Sequence, residues 1–130
     1  MLIQKEVEGF DALQNALINL DQKNPIIIYF CGDRIDGKSW CPDCVQSDEH
    51  INSILKDIND GKLQPSSPRT LLTVLVGTRE PWKNKENKFR TVLNVNSIPT
   101  FRVYGKENEQ IDDDKVTYDN IKKFLVDPLN

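Results

Sequence analysis

The stretch Trp40-Cys41-Pro42-Asp43-Cys44 places two thiols three positions apart, with a proline directly after the first thiol. Proline is tolerated at the first position of a helix, because the N–H that it lacks has no partner there. The pattern therefore predicts a helix that begins at the pair, with Cys41 as its N-cap. Free backbone N–H groups and the helix dipole favour a thiolate at such a position. Because Cys44 follows one turn later, within reach of Cys41, we predict a redox-active pair.

The residues before the pair predict a buried strand joined to it by a loop. Ile26 to Cys31 is a continuous apolar run rich in β-branched residues, which is typical of a central strand covered on both faces. Gly32 to Ser39 is polar and contains two glycines, so a surface loop is expected there. Further upstream, apolar residues at helical spacing predict an amphipathic helix between Gly9 and Asp21.

The residues after the pair predict a helix followed by a second buried strand. Apolar side chains recur at helical spacing up to Gly61, which is a suitable C-terminal stop. Thr70 to Gly77 is another apolar run. Because a helix connects the two runs, a parallel strand–helix–strand crossover is the simplest topology, and the two strands are expected to be neighbours. Residues 89–93 are expected to form one or two helical turns.

The C-terminal part of the chain predicts a hairpin and a closing helix. Residues 101–104 alternate in polarity, which predicts a strand with one covered face and with Arg102 and Tyr104 on the other face. A short antiparallel return strand is expected at residues 109–112. The last helix is predicted from Thr117 to Val126, with the threonine as its cap.

Length, charge and cysteine content exclude several classes of protein. A chain of 130 residues suits a single domain with a real core. The net charge of −3 comes from scattered charges without a basic stripe, so nucleic acid is not an expected partner. No apolar run approaches the ~18 residues of a membrane helix, and the first residues turn charged too soon for a signal peptide. The odd number of three cysteines suits a reducing compartment, and a cytoplasmic location is expected.

Five segments carry a resemblance to a known family: Tyr29-Phe30, the run GKSWCPDCVQ at residues 37–46, Pro81-Trp82-Lys83, Phe89-Arg90 and Pro99-Thr100. They resemble the thioredoxin superfamily and, within it, the small cytosolic thioredoxin-related proteins of the thioredoxin domain-containing protein 17 family. The resemblance extends over residues 26–105. It implies an α/β thioredoxin fold, in which a mainly parallel central sheet has an antiparallel edge hairpin and helices on both faces. One such domain would span residues 1–130.

The resemblance also implies an activity. It implies a disulfide reductase whose dithiol is recharged by thioredoxin reductase and NADPH, with no bound cofactor and no metal. Cys41 matches the attacking cysteine of the family and Cys44 the resolving one, while Pro99 matches the cis-proline that faces the pair. The implied substrates are small or selected protein disulfides, and the implied setting is peroxidase-linked redox homeostasis in the cytoplasm, with a monomer expected. The residues expected to bind substrate or tune the site are Trp40, Pro42, Asp43, Ile98 and Pro99.

Two effects on the pKa of Cys41 are expected to oppose each other. The helix start lowers the pKa, whereas the nearby Asp43 carboxylate repels the thiolate and raises it. We expect a pKa nearer to about 7 than to about 3.5, which suits a reductase better than a strong oxidant. Lys38 is expected to be a solvated loop residue with little influence on the pair. The chain departs from common thioredoxins at the end of the central strand, where they keep a buried aspartate.

Two other classes of protein remain open. In the first, Cys41 and Cys44 form half of a structural zinc site completed by Cys31 and His50, within a non-catalytic binding module. Tetrahedral zinc sites usually combine two short segments that each supply a pair of ligands, and this sequence has only one such segment. The second class is a glutathione-dependent, glutaredoxin-like oxidoreductase. The pair lacks the aromatic residue usual in that family, and no glycine pair follows the strand after Pro99.

Four side chains near these segments have two interpretations each. Cys31 is most simply a small buried hydrophobe, with a regulatory or third redox role as the alternative. Trp40 can serve as a substrate platform or as packing under the loop, whereas Trp82 can form a surface near the site or belong to the core, and for Trp82 the core is favoured. His50 is expected to be solvated, because no catalytic partner for it is visible.

Overall fold

The computed structural model describes residues 1–129 and shows a central five-stranded mixed sheet with helices on both faces. The helices are α1 (Phe10–Asn19), α2 (Pro42–Asn59), α3 (Arg79–Lys83), α4 (Lys88–Thr91) and α5 (Tyr118–Leu125). The strands of the sheet are β1 (Leu2–Glu8), β2 (Ile26–Cys31), β5 (Arg69–Leu75), β6 (Thr100–Val103) and β7 (Lys106–Asp112). A separate hairpin pairs β3 (Arg34–Ile35) with β4 (Lys38–Ser39).

The strand order is β1-β5-β2-β6-β7, with β2 at the centre. Strands β1, β5 and β2 run parallel, while β6 pairs antiparallel with both β2 and β7. The prediction that the two apolar runs form parallel neighbours is confirmed, as is the antiparallel return strand. This is the mainly parallel sheet with an antiparallel edge pair that characterises the thioredoxin fold.

Alternate side chains of β2 enter two separate cores, because successive residues of a strand point to opposite faces. Ile27, Tyr29 and Cys31 pack on the face covered by α2 and α5. Ile28 and Phe30 pack on the other face, with residues of α1 and α4. All six residues of β2 are buried, as the continuous apolar run predicted. The α2–α5 face holds both cysteines of the pair.

The sequence analysis did not predict β1. This strand pairs in parallel with β5 from Leu2–Arg69 to Glu8–Leu75, at the edge of the sheet. Most of its side chains are exposed, so its sequence lacks the apolar alternation that marks a half-buried strand. Backbone pairing with β5 holds β1 in place, and a local pattern does not reveal such pairing.

Two expectations about exposure were wrong. Arg102 is only 6% exposed, so β6 is covered on both faces instead of one. Its guanidinium donates to Gln110 Oε1 at 2.7 Å and to the Leu93 carbonyl at 2.7 Å, which satisfies donors that burial would otherwise leave unpaired. The segment from Gly32 to Ser39 is also more than a surface loop, because it contains the β3–β4 hairpin and both of its end residues are buried.

Candidate active site

The cysteine pair lies at the start of α2, as predicted. Cys41 is the N-cap residue with extended backbone angles, and Pro42 occupies the first helical turn. The backbone N–H of Cys44 donates to Cys41 Sγ over 3.3 Å. Since the first N–H groups of a helix have no partner within the helix, a sulfur at this position takes the place of the usual capping oxygen.

Cys41 is chemically distinguished from its neighbour by its pKa. Hydrogen bonds from the Cys44 thiol, and then from the backbone N–H groups of Cys44 and Asp43, lower the pKa of the Cys41 thiol to about 7. Burial and the Asp43 carboxylate act in the opposite direction and limit the shift. The pKa agrees with the value near 7 expected from the sequence, and so does the opposing effect of Asp43. Near neutral pH, Cys41 is therefore substantially a thiolate.

Cys44 is the more deeply buried member of the pair, with no exposed surface, whereas Cys41 is 6% exposed. Its pKa is raised far above the ordinary range, first by a hydrogen bond with the Cys31 thiol, then by the bond to Cys41 and by burial. The backbone N–H of Gly32 also approaches Cys44 Sγ at 3.5 Å. One thiol of the pair is thus prepared to ionise and the other is held protonated.

Pro99 lies beside the pair and follows a cis peptide bond after Ile98, as the resemblance implied. The thiol of Cys41 points at the Ile98 carbonyl, with 3.8 Å between sulfur and oxygen. Thr100, the next residue, donates from Oγ1 to the Ser97 carbonyl at 2.7 Å and holds the start of β6 in place. The segment that leads into β6 therefore lies against Cys41, although the two are far apart in the sequence.

Trp40 packs on the loop, and its half-buried side chain also leaves part of its surface open beside the pair. Its indole N–H donates to the Gly77 carbonyl at 2.9 Å, and the Arg79 guanidinium lies 5.0 Å from the ring centroid. Gly32 is packed so closely below the ring that an added Cβ would lie 2.9 Å from it. The ring is held by contacts on several sides.

Trp82 is a packing residue, as the sequence favoured. It is 5% exposed and belongs to the core on the α1 face of the sheet. The guanidinium of Arg90 lies 4.1 Å from its ring centroid and donates through Nε to its carbonyl at 3.0 Å. The cysteine pair belongs to the core on the opposite face.

Sequence reasoning missed a polar network behind the pair. The Tyr29 hydroxyl lies 2.6 Å from Ser47 Oγ and donates to Asp48 Oδ1 at 2.8 Å. Arg34 donates to both oxygens of Asp48, at 3.2 and 3.1 Å, and pairs with Glu6 on the edge strand. The spacing of four residues between Cys44 and Asp48 was the available indication, because it places both on one helix face.

The network also shifts two pKa values. Burial, and then the charges near the phenol, raise the pKa of Tyr29 far above its usual value. The hydrogen bonds to Asp48 raise the pKa of Arg34. Tyr29 therefore stays a neutral donor and Arg34 a cation throughout the ordinary pH range. Together with the Asp48 carboxylate of α2, they form a hydrogen-bonded network behind the cysteine pair.

An open groove of about 530 Å³ adjoins the pair on the side of Pro99. Asp43 and His50 of α2 line it together with the segment that precedes α5. His50 is half-buried with its ring edge-on to Tyr118, at 5.8 Å between centroids, so it is less solvated than expected. Lys38 is exposed, as expected.

The four residues of the hypothetical zinc site do not come together as one ligand set. The Cys31 thiol donates to the Gly32 carbonyl at 3.4 Å, while His50 packs against Tyr118 beside the groove. Across residues 1–129 there is no group of three or more His, Cys, Asp or Glu side chains arranged to hold a metal ion. Within the same residues, no helix is long and apolar enough to cross a membrane.

The sheet, the helix-start dithiol and the cis-proline together define a protein of the thioredoxin class. The chain belongs to the thioredoxin domain-containing protein 17-like family, whose thioredoxin-domain model matches residues 6–128. It is 34% identical to thioredoxin domain-containing protein 17 of Homo sapiens over 107 residues. These aligned residues cover 82% of this chain and 80% of that protein. The protein of the same name from Epinephelus coioides is 27% identical over 122 residues, or 93% of each chain. Family membership supports a thioredoxin-like redox role.

Proposed function

We propose that the protein is a disulfide reductase in which Cys41 attacks the substrate and Cys44 resolves the intermediate. The observation that carries this proposal is the asymmetry of the pair: the pKa of Cys41 is lowered to about 7, while that of the fully buried Cys44 is raised. A thiolate is the nucleophile in disulfide exchange, so the two thiols have different tasks.

The cycle has two exchange steps. The Cys41 thiolate attacks one sulfur of the substrate disulfide, and the electron pair of the broken bond leaves with the other substrate sulfur. Cys44 then loses its proton and attacks Cys41 Sγ, which releases the second substrate sulfur as a thiolate. The products are a reduced substrate and a Cys41–Cys44 disulfide, and the released substrate thiolates take up protons.

The surroundings of Cys41 support an approach of substrate from the side of Pro99. The Ile98 carbonyl lies 3.8 Å from Cys41 Sγ, and the groove next to Asp43 and Pro99 is open. Trp40 borders the pair with a half-buried ring. We assign Ile98 and Pro99 to substrate binding, and Trp40, Pro42 and Asp43 to shaping the site and tuning its thiolate.

We further propose that thioredoxin reductase returns the oxidised pair to the dithiol with electrons from NADPH, so that the protein itself binds no cofactor. Its substrates are small disulfides or selected protein disulfides, and it works as a monomer in the cytoplasm, within peroxidase-linked redox homeostasis. The redox role of the family supports this assignment.

A coupled assay tests the proposal. Thioredoxin reductase, NADPH and the purified protein are mixed with cystine or with insulin, and NADPH consumption is followed. We expect turnover that is lost in Cys41→Ser, while Cys44→Ser accumulates a mixed disulfide with the substrate on Cys41. Ser53→Ala, at an exposed position of α2, is the control and should keep its turnover. Intact thiols without NADPH consumption on either disulfide would contradict the proposal.

Two further measurements distinguish the reductase from the two competing classes of protein. Turnover that requires glutathione and glutathione reductase in place of thioredoxin reductase would assign the protein to the glutaredoxin-like class. Metal analysis of protein purified under reducing conditions tests the zinc module. One zinc per chain that is lost in Cys41→Ser would contradict the reductase proposal.

A further inference from the structure

Cys31 lies directly behind the cysteine pair. It is the last residue of β2, has no exposed surface and belongs to the same core as both other cysteines. Gly32 contacts both sulfurs: its N–H lies 3.5 Å from Cys44 Sγ, and its carbonyl accepts from Cys31 Sγ at 3.4 Å. The Cys31 thiol is also among the groups that raise the pKa of the Cys44 thiol. Cys44 therefore has a thiol neighbour on each side.

We propose that Cys31 is a second internal partner of Cys44, to which the disulfide of the oxidised pair is passed by thiol–disulfide exchange. The inference rests on the proposed reductase cycle, because the Cys41–Cys44 disulfide is its starting point. Cys41 and Cys44 lie at the first turn of α2 and Cys31 ends β2, and the sulfurs of Cys31 and Cys44 both contact the backbone of Gly32.

The exchange balances without an outside oxidant. The Cys31 sulfur attacks Cys44 Sγ, a Cys31–Cys44 bond forms, and the Cys41–Cys44 bond breaks. The electron pair of the broken bond leaves with Cys41 as a thiolate. The proton of Cys31 passes to the carboxylate of Asp48 and then to water, so the chain holds one disulfide before and after.

Two features of the site favour this direction of exchange. A leaving thiol with a low pKa leaves faster, and the pKa of Cys41 is lowered to about 7. Asp48 Oδ1 lies 4.0 Å from Cys31 Sγ, and Asp48 lines an open cleft of about 430 Å³ together with Tyr29 and Arg34. The proton of a fully buried thiol thus has a path to solvent.

The exchange changes what the oxidised protein can do. With Cys31 bound to Cys44, Cys41 is again a free thiolate that can attack a disulfide. Cys44 is then unavailable to resolve the mixed disulfide, so an adduct on Cys41 persists until the internal disulfide returns or is reduced. The three cysteines would then hold one disulfide while the attacking cysteine remains a free thiolate.

The first test removes Cys41. The Cys41→Ser variant is incubated with oxidised glutathione, its free thiols are counted by alkylation under denaturing conditions, and its peptides are mapped. We expect both remaining thiols to be lost in an intramolecular Cys31–Cys44 disulfide. The matched control is Cys31→Ser/Cys41→Ser, in which no internal disulfide can form. Two persisting free thiols, a glutathione adduct or an intermolecular dimer in Cys41→Ser would overturn the proposal.

The second test detects the exchange in the unmodified protein. The oxidised chain is quenched in acid, alkylated and mapped, and we expect a population with Cys31 joined to Cys44 and with Cys41 alkylated. Cys31→Ser, or Cys31→Ala if the serine variant does not fold, should carry only the Cys41–Cys44 disulfide. An unmodified protein in which every disulfide joins Cys41 to Cys44 would overturn the exchange. Such a result would leave NADPH-dependent turnover intact, whereas failure of the reductase proposal removes that turnover.

Discussion

The backbone N–H of Cys44 donates to the sulfur of Cys41 over 3.3 Å, so Cys44 itself stabilises the thiolate of Cys41. The start of α2 and the cysteine pair therefore form a single structural unit. A hydrogen bond to the charged form of a group favours ionisation, whereas burial and a like charge oppose it. The reactivity of Cys41 therefore depends on which neighbours are present, and each neighbour can be tested separately.

Replacing Asp43 by asparagine should lower the pKa of Cys41 below its value of about 7, because the Asp43 carboxylate raises that pKa. Alkylation of Cys41 by iodoacetamide, measured against pH, reports the change. In the unmodified protein we expect the rate to rise with pH through about 7 and then level off. In Asp43→Asn the rise should occur at lower pH.

Glu49→Gln provides the matched control for this experiment, because Glu49 is an exposed carboxylate further along the same helix. It should leave the alkylation profile unchanged. A profile that does not move in Asp43→Asn would show that repulsion by this carboxylate has no influence on Cys41.

The stability of the reduced protein should increase as the pH is raised from about 7 to about 9. The pKa of Cys41 is lowered in the folded state, so its contribution is fully present above the unfolded pKa of 9.0 and is lost as the pH falls through about 7. Because solvent screens part of this effect, we expect an increase of about 1–2 kcal/mol over this range. Urea denaturation of the reduced protein at several pH values measures it.

Cys41→Ser should lose this pH-dependent part of the stability, which separates Cys41 from other groups that titrate in the same range. Cys44 acts in the opposite direction near the top of this window: its raised pKa keeps it neutral in the folded state, while in the unfolded state it ionises around pH 9, so its contribution to stability falls there. Equal slopes of stability against pH in the two proteins would contradict the assignment.

Gly32→Ala should destabilise the protein by about 1–3 kcal/mol, the usual cost of overpacking a core. The added Cβ would meet the Trp40 ring at 2.9 Å and Ser39 Oγ at 3.1 Å, so the ring has to move. Thermal or urea denaturation measures the loss, and Trp40 fluorescence reports the displacement. Ser53→Ala, at an exposed position of α2, is the control and should change stability little. If Gly32→Ala is as stable as the unmodified protein, the loop accommodates the added methyl group without a loss of stability.

Tyr29→Phe should destabilise the protein by about 1–3 kcal/mol, because it leaves buried hydrogen-bonding groups without their partner. The hydroxyl that is lost lies 2.6 Å from Ser47 Oγ and 2.8 Å from Asp48 Oδ1. Tyr104→Phe is the matched control, since Tyr104 is 41% exposed. Equal stability of the two variants, measured by urea denaturation, would show that the network is not needed for the fold.

Much of the fold could be predicted from local patterns. The proline after Cys41 and the apolar spacing that follows it located α2, and the β-branched run at residues 26–31 located β2. Capping and periodicity depend on residues close together in the chain, so a sequence displays them directly. Arg102 shows the limit of this reasoning, because its burial depends on acceptors supplied by Leu93 and Gln110.

The sequence by itself determined that the pair begins a helix and that a buried strand precedes it, and it predicted a pKa of Cys41 nearer to about 7 than to about 3.5. Only the tertiary structure decided that Ile98 faces Cys41, that Asp48 is held by Tyr29 and Arg34, and that Cys31 lies behind Cys44. The physical reason is that the residues in these contacts lie far apart along the sequence. Helix starts and strands follow from neighbouring residues, whereas these contacts exist only once the end of β2, the first turns of α2 and the start of β6 pack together.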